Sequence, residues 1–234
     1  MKNIIMLVFL FTYSFLFSQS NAGKIVYSIH ISADEKVLKS EKVGKLYMDM
    51  SKNAADQMYV LSFKEGKSSF LKAEKLNAAK DKYEETVSKL ASVMFTNDDN
   101  YYYDFVNRYA IIETNGALVK EAVKDVNWEI TSENKIISGI LCYKATRKLE
   151  YIGRDNKIKI NNIVAWFAPS LPFSYGPKDF YGLPGLIVQL TGNRTTYLAN
   201  KIELDDVEIS IDFPKGKTVS KEEFDKKLKV QMGM

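Results

Sequence analysis

The fold is decided by residues 24–31, which read Lys24-Ile25-Val26-Tyr27-Ser28-Ile29-His30-Ile31. β-Branched and aromatic residues dominate this stretch, and apolar and polar positions nearly alternate. Successive side chains of a strand point to opposite faces, so the alternation predicts a strand with one buried face.

Outward from this stretch, similar strand signals recur along most of the chain. Short segments of this kind, separated by polar turns, predict a meander in one antiparallel sheet. The predicted strands cover residues 44–50, 57–63, 68–72, 101–113, 128–131, 136–150, 157–168, 186–191 and 195–211. The predicted turns are Ser51-Lys52-Asn53, Asn115-Gly116, Glu133-Asn134 and Asp155-Asn156.

Two segments have helical periodicity instead. The first covers residues 73–94, and the second begins at Ser220, which with Glu223 has the form of a capping box. The apolar positions at helical spacing are Leu76, Tyr83, Val87 and Leu90 in the first helix and Phe224, Leu228 and Met232 in the second.

A sheet with so few helices must bury one face by curling on itself or by packing under the helices. We therefore predict a mainly β (α+β) fold, with a single curved antiparallel sheet covered by two helices. This layout resembles the half-barrel carriers of lipids and lipoproteins in the bacterial envelope.

The start of the chain has the order of a secretory signal peptide. Lys2 supplies the positive charge, residues 4–17 form an apolar run, and small residues follow. As a helix this run spans roughly 21 Å, which is short of the roughly 30 Å hydrocarbon core of a membrane.

Two cleavage sites fit the small residues, one after Ser18, which is favoured, and one after Ala22. We expect residues 1–18 to be the signal peptide and residues 19–234 to be a single domain, because no linker or repeat divides them. The expected location is the periplasm or cell envelope. No cysteine lies near either site, so a lipoprotein is not expected.

The charge of the chain argues against nucleic acid as a partner. The full chain carries a net charge of +4, and removal of Lys2 leaves +3. Lysine and glutamate are mixed along the sequence, so no basic stripe forms. No second apolar run is long enough to cross a membrane, which predicts no transmembrane segment after signal removal.

The rare reactive side chains exclude several catalytic mechanisms. Cys142 is the only cysteine, so no intrachain disulfide is possible, and its apolar neighbours predict a buried structural residue. His30 is the only histidine and lies in the first predicted strand. A Ser-His-Asp or Cys-His site would need His30, and a histidine-rich zinc site cannot form.

Sulfur and carboxylate ligands suggest two further chemistries. Met48, Met50 and Met58 are soft ligands of the kind that suits Cu(I), but a hydrophobic strand face explains them better. Asp98-Asp99 and Asp205-Asp206 are acidic pairs, yet adjacent residues of a strand face opposite sides, so neither is a ready dyad. We therefore predict no catalytic residue, no metal and no cofactor.

The most specific stretch is residues 169–190. It includes Tyr181-Gly182-Leu183-Pro184-Gly185-Leu186-Ile187, which contains in full the six-residue motif of the GLPGLI family. Segments 128–130, 135–139, 142–146 and 165–167 also follow that family's order. The chain resembles this family over most of residues 128–207. The resemblance implies export into the envelope of Gram-negative bacteria, and it implies no reaction and no catalytic residue.

The motif itself predicts a type II turn. Pro184 fixes φ at the second position of Leu183-Pro184-Gly185-Leu186, and Gly185 supplies a positive φ at the third. A rigid corner before a buried strand is the favoured interpretation. The alternative is that the loop forms the lip of a pocket. The predicted ligand- or partner-binding residues are then Trp166, Tyr175, Gly176, Pro177, Tyr181, Gly182, Leu183, Pro184 and Gly185.

Two functions of different class fit these observations. The first is a non-enzymatic binding or carrier protein of the periplasm, with a lipid or an apolar peptide as ligand. The second is an interaction module that docks on an outer-membrane or secreted envelope protein. An enzyme ranks third, and a carboxylate hydrolase is its only credible form.

Overall fold

The computed structural model describes residues 22–73, 81–153, 157–204 and 208–231. Several sequence predictions fall elsewhere. The signal peptide, the turn at Asp155-Asn156, the pair Asp205-Asp206 and the apolar Met232 all lie outside the described residues.

The described residues form one large, open, curved sheet of twelve strands, so the mainly β fold is confirmed. Its spatial order is β12-β6-β5-β4-β3-β2-β1-β11-β10-β9-β8-β7. The strands are β1 (Ala22–Ile31), β2 (Met58–Lys64), β3 (Lys67–Lys72), β4 (Asn100–Asp104), β5 (Tyr109–Thr114), β6 (Ala117–Ala122), β7 (Glu129–Ile137), β8 (Ile140–Ile152), β9 (Ile158–Ala168), β10 (Leu186–Gly192), β11 (Thr195–Leu204) and β12 (Thr218–Ser220).

The sheet consists of two meanders joined in the middle. Strands β1–β6 form one and β7–β11 form the other, and β1 pairs with β11 between them. Neighbouring strands are antiparallel throughout, except that the short β12 pairs with β6 in parallel. The sheet is therefore mixed, where an antiparallel one was predicted.

Alternation decides which face of the sheet is buried. Every second residue is buried in the two central strands. The buried residues are Ile25, Tyr27 and Ile29 in β1 and Tyr59, Leu61 and Phe63 in β2. We call the side that carries these residues the inner face. Glu121 of β6 and Arg147 of β8 line one cavity over this face, although eight strands lie between β6 and β8 in the sheet. The sheet is thus curved enough to bring its two halves opposite each other.

Four α-helices accompany the sheet in the described part of the chain. They are α1 (Glu35–Leu38), α2 (Glu41–Ala55), α3 (Lys82–Ala91) and α4 (Lys221–Gln231). A π-helical turn, Ser92–Thr96, continues α3. None of the described helices has the length and apolar character needed to cross a membrane.

The helices α2 and α3 close one end of the inner face. Their shared core consists of Tyr47, Met50, Ala54, Val87, Ala91 and Phe95. The π-helical turn attaches this pair to the sheet, because Thr195 Oγ1 donates to the Phe95 carbonyl at 2.8 Å. At the other edge of the sheet, α4 packs against β6 and β12.

The predicted strand at residues 44–50 is wrong, because these residues belong to α2. Leu46, Met48 and Met50 alternate as in a strand, but Tyr47, Met50 and Ala54 recur at helical spacing and are the buried set. A seven-residue window satisfies both patterns. The predicted strand would have placed Met48 and Met50 on one face, but in the helix they lie on different sides.

Three strand boundaries also differ from the sequence prediction. Residues 101–113 form two strands, β4 and β5, because a turn with Arg108 at φ +54° reverses the chain. The predicted break at Glu133-Asn134 is an irregularity within β7, and the hairpin turn lies at Ser138-Gly139. Strand β11 ends at Leu204, short of the predicted 211.

Other local signals are confirmed. Asn115-Gly116 forms the turn between β5 and β6, with both residues at positive φ. The capping box of α4 is present, because the Ser220 amide donates to Glu223 Oε2 at 2.9 Å and the Glu223 amide donates to Ser220 Oγ at 3.2 Å. The first predicted helix is present over Lys82–Ala91, and residues 74–80 of it lie outside the described part.

A pair of substitutions tests the helix α2. Met50→Ala should lower the free energy of unfolding by roughly 2–5 kcal/mol, because Met50 is only 7% exposed. Met48→Ala should change it by less than about 0.5 kcal/mol, because Met48 is 54% exposed. Urea unfolding measures both. Equal losses would contradict the helix, since residues two apart share a face only in a strand.

Candidate functional site

The loop between β9 and β10, residues 169–185, lies on the inner face of the sheet. Tyr175 stacks on Phe63 with 4.6 Å between ring centroids, and Phe173 contacts the same ring at 4.8 Å. Phe63 belongs to the buried face of β2. The loop therefore packs inside the curve of the sheet, where it contributes to the core.

The second half of the loop contacts the other meander. The Tyr181 ring lies 5.2 Å from Tyr103 and 5.0 Å from Phe105, centroid to centroid. The Tyr181 hydroxyl donates to the Lys124 carbonyl, and Trp128 Nε1 donates to the Tyr181 carbonyl, each at 2.9 Å. These contacts hold the loop against β4 and against the segment that precedes β7.

Backbone hydrogen bonds fix the base of the loop. The Leu186 amide donates to the Leu171 carbonyl at 2.8 Å, and the Ile187 amide donates to the Tyr175 carbonyl at 3.1 Å. The Tyr27 hydroxyl donates to the Ile187 carbonyl at 2.6 Å. Burial raises the pKa of Tyr27 well above its usual value, so this hydroxyl keeps its proton.

The predicted type II turn at the motif is not formed. Such a turn would join the Leu186 amide to the Leu183 carbonyl, but Leu186 bonds to Leu171 instead. The Gly185 amide donates to the Leu183 carbonyl at 2.8 Å, which makes a tighter, three-residue turn around Pro184. The corner is still rigid, and its hydrogen bonds serve the packing of the loop.

The nine predicted site residues do not form one surface. Four are buried in the core, namely Gly176, Pro177, Leu183 and Gly185. Two are exposed, namely Gly182 and Pro184. Three are half-buried, namely Trp166, Tyr175 and Tyr181. The structure therefore brings only part of the predicted set to a surface that a ligand can reach.

Trp166 lies away from the loop. It occupies the opposite face of β9 from Phe167, since side chains alternate along the strand. There the Lys135 ammonium lies 4.2 Å from the centre of the Trp166 ring, and Lys135 Nζ also bonds to Gln189 Oε1 at 3.0 Å. This side chain takes no part in the cavities of the inner face.

A small aromatic cleft of about 340 Å³ opens beside the loop. Tyr175, Tyr181 and Gly182 of the predicted set line it. The remaining walls are Gly66, Phe105, Pro172, Phe173 and Ser174. This aromatic cleft is where the structure gathers three of the nine predicted residues, one exposed and two half-buried.

A larger cavity of about 660 Å³ lies on the other side of the loop, next to the π-helical turn. We call it the lysine chamber, because Lys178 projects into it. Its apolar floor consists of Phe95, Ile163, Phe180, Leu190 and Tyr197. The lining also includes the polar Asn161, Asn193, Arg194 and Thr195, so the cavity wall mixes apolar and polar groups.

Lys178 stands out in this chamber. Its backbone has φ +57°, a left-handed conformation that is uncommon for a residue with a side chain. Its ammonium lies 5.0 Å from the centre of the Tyr197 ring, and no described carboxylate lies within ion-pair distance of it. Burial lowers the pKa of Lys178 to about 8, and the negative charges of Asp179 and Asp99 only partly oppose this.

A third cavity, of about 460 Å³, contains acidic groups. Three acidic side chains, Asp99, Glu121 and Asp179, line it together with three basic ones, Lys124, Arg147 and Lys221. Burial raises the pKa of Glu121, while the positive charges of neighbouring lysines oppose the shift. We call this space the acidic cavity.

The acidic pair Asp98-Asp99 is not a dyad in the structure. Asp98 forms an ion pair with Lys72 at 3.0 Å, and Asp99 accepts a hydrogen bond from Asn97 Nδ2 at 2.8 Å. The two carboxylates therefore have different partners, and they lie in the connection before β4 rather than in a strand. Met48 and Met50 lie on different sides of α2, so they do not form a thioether pair.

The single histidine and the single cysteine line none of these three cavities. His30 is exposed near Ser28, at 3.3 Å, and Cys142 is fully buried as predicted. Burial raises the pKa of the Cys142 thiol, which keeps it protonated. Within the described ranges, no group of three or more His, Cys, Asp or Glu side chains has the geometry to hold a metal ion.

Sequence reasoning missed Lys178, Glu121 and Arg147. A signal for the first was present, because Lys178 and Asp179 are the only charged residues in the apolar stretch 169–185. The other two are strand residues without a distinguishing pattern. Their position over the inner face follows only from the curvature of the sheet.

Comparison with known families gives one match. The sequence model of a family described as "Protein of unknown function (Porph_ging)" matches residues 153–189, which include the whole loop. The chain is therefore similar to this family over that segment. No curated protein matches the chain.

Two solved structures of PNGF-II, in space groups P21 and C2, are similar in fold. The TM-score is 0.53 for both, with 13% and 14% sequence identity. The matches cover 88% and 90% of this chain but only 33% and 32% of those chains. The chain thus spans about a third of the length of the solved chains that it matches.

Two glycine substitutions test the corner of the loop. Both Gly185 and Gly139 have positive φ, but a Cβ atom at Gly185 would collide with the Ala168 carbonyl, whereas a Cβ at Gly139 would meet nothing within 4 Å. Gly139→Ala should cost about 1–2 kcal/mol of unfolding free energy. Gly185→Ala should cost about 1–3 kcal/mol more. Equal losses in urea unfolding would contradict the close packing.

The lowered pKa of Lys178 predicts a pH dependence of stability. The pKa of Lys178 is about 8 in the fold and roughly 10.4 in an unfolded chain. Between these values the unfolded chain binds more protons, so stability rises with pH there. Lys178→Met should therefore be more stable than the wild type at pH 7, and this difference should shrink as the pH rises above 8.

Urea unfolding at several pH values between 7 and 10 measures that difference. Lys148→Met is the matched control, because Lys148 is exposed on β8. The control should follow the wild-type pH profile. A constant advantage of Lys178→Met at every pH would show that the ammonium is not destabilised by burial.

Proposed function

We propose that the chain is an exported, non-enzymatic binding protein that carries an apolar or amphipathic ligand in the lysine chamber. The observation that supports this is the apolar floor of a 660 Å³ cavity on the inner face of the sheet. Ligand sites in proteins are typically concave, about 300–1,000 Å³ in volume, and mostly apolar with a few polar groups.

The energetics favour an apolar tail on this floor. Each Å² of apolar surface removed from water contributes about 25 cal/mol. Phe95, Leu190 and Tyr197 are held in place by the core, and each leaves only a small apolar area for a ligand to cover. The floor would thus contribute modest affinity without discriminating strongly between tails.

The walls are also held in place before a ligand arrives. Phe180 belongs to the anchored loop, and its amide bonds to the Pro177 carbonyl at 3.2 Å. Tyr197 is fixed from the opposite side, because its hydroxyl donates to the Thr96 carbonyl at 3.3 Å. A rigid site loses little conformational entropy on binding, which favours affinity.

The proposed location is the periplasm or cell envelope of a Gram-negative bacterium. Two sequence features support export, namely the signal-peptide pattern of residues 1–18 and the resemblance to the GLPGLI family. We propose membership of that family, and the match of residues 153–189 to a family of unknown function is compatible with it.

Docking on an envelope protein through the loop is the weaker proposal. A docking surface needs exposed anchoring side chains. Leu183 is only 1% exposed, and Gly176 and Pro177 are buried as well. A substitution such as Leu183→Asp would therefore destabilise the core, and a loss of partner binding in that variant could not be assigned to a lost contact.

A neutral apolar dye tests the carrier proposal. N-phenylnaphthylamine becomes more fluorescent in apolar surroundings, and the wild-type protein should bind it with a saturable signal. Met94→Trp should weaken this binding by about tenfold or more, which is ~1.4 kcal/mol. Met94 lines the chamber, and a larger ring there would occupy its space.

Val93→Trp is the matched control, because Val93 is adjacent in sequence, 80% exposed and absent from the chamber lining. It should bind the dye as the wild type does. Equal binding by all three proteins would place the dye elsewhere and count against the chamber. Mass spectrometry of gently purified protein, intact and after organic extraction, would then identify any natural ligand that is retained.

A further inference from the structure

The two positively charged residues that line the lysine chamber differ in whether they have an ion-pair partner. Arg194 lies at the mouth and forms an ion pair with Asp34, so its positive charge is already compensated. Lys178 lies deeper, against Tyr197 and Phe180, and has no ion-pair partner among the described residues. Of the two cations that line the chamber, Lys178 is thus the one without an ion-pair partner among the described residues.

Lys178 is half-buried, so its ammonium loses part of its hydration without gaining an ion-pair partner among the described residues. Partial removal of a charge from water without a partner is unfavourable. The ring of Tyr197 offers partial compensation through a cation–π contact with 5.0 Å between Nζ and the ring centre. Asp179 is adjacent in sequence, yet its carboxylate lies beyond ion-pair distance and lines the acidic cavity instead.

The ammonium lies beside the apolar floor, which is the arrangement expected of a site for a ligand with an anionic head group and an apolar tail. Phe180, Leu190 and Ile163 provide apolar surface in the same cavity as Nζ. A ligand that places an anion on Lys178 can lay its apolar part along these side chains. A wholly apolar ligand would cover the floor but leave the ammonium unpaired, and even less solvated than before.

We propose that Lys178 binds the carboxylate of a single-chain amphipathic acid, whose tail lies on the apolar floor of the lysine chamber. This inference rests on the proposed function, and it names the chemical class of the ligand. A charge-assisted contact at such a buried site is stronger than a neutral hydrogen bond. It supplies head-group selectivity, while the floor supplies affinity that does not depend on charge.

A pair of ligands with the same tail tests the assignment. Dodecanoate carries the carboxylate, and dodecanol carries a neutral hydroxyl in its place. Displacement of N-phenylnaphthylamine, at ligand concentrations below micelle formation, measures both affinities on one scale. Lys178→Met should weaken dodecanoate binding by about tenfold or more and leave dodecanol binding unchanged or tighter.

Two further variants separate the charge at Lys178 from other causes. Lys148→Met, at an exposed position of β8, should bind both ligands as the wild type does. Arg194→Gln removes the cation at the mouth, and it should weaken dodecanoate much less than Lys178→Met does. If Lys178→Met does not fold, Lys178→Gln is measured in its place.

Equal effects of Lys178→Met on the two ligands would overturn the inference and leave the carrier proposal standing. A selective loss of dodecanoate in Arg194→Gln, with Lys178→Met unchanged, would also overturn it. Absence of saturable binding of either ligand or of the dye to the wild-type protein would overturn both the inference and the carrier proposal.

Discussion

The pairing of β1 with β11 joins the two meanders, because Gly23 lies opposite Leu204 and Ile31 lies opposite Thr195. Every other neighbouring pair, apart from β12 with β6, connects strands that follow each other in the chain. Without this one long-range pairing the sheet would be two separate ribbons. The inner face, the anchored loop and the three cavities all require both halves to be present on one curved surface.

The sequence was sufficient for elements whose signal is local. The alternation in residues 24–31, the Asn115-Gly116 turn and the Ser220 capping box each describe a structure made by neighbouring residues. It was not sufficient at residues 44–50, where a short apolar segment fits a strand and a helix equally well. The helix is favoured because it buries Tyr47 and Met50 against α3. That contact joins residues distant in the sequence, so a local pattern could not reveal it.

The candidate site was predictable only in part, and for a related reason. The loop of residues 169–185 was found because its motif is unusual, but which of its residues are exposed depends on Phe63, Tyr103 and Trp128 from distant strands. The lysine chamber was not predictable, because its walls come from the π-helical turn, from four strands, β8 to β11, and from the loop between β9 and β10. What the sequence did offer was a single Lys-Asp pair inside an otherwise uncharged stretch.

The pairing of β1 with β11 also has a consequence in time. A chain is synthesised from its N-terminus at roughly 5–20 residues per second, and 173 residues separate Ile31 from Leu204. In a chain that folds during synthesis, one edge of β1 would wait for roughly 10–30 seconds before its partner strand exists. In an exported chain the same edge would wait until residue 204 has crossed the membrane. During that interval an apolar, β-branched edge is open to wrong partners, including other copies of itself. The yield of folded protein would thus depend on how well this edge is shielded until β11 is available, and not on the final stability alone.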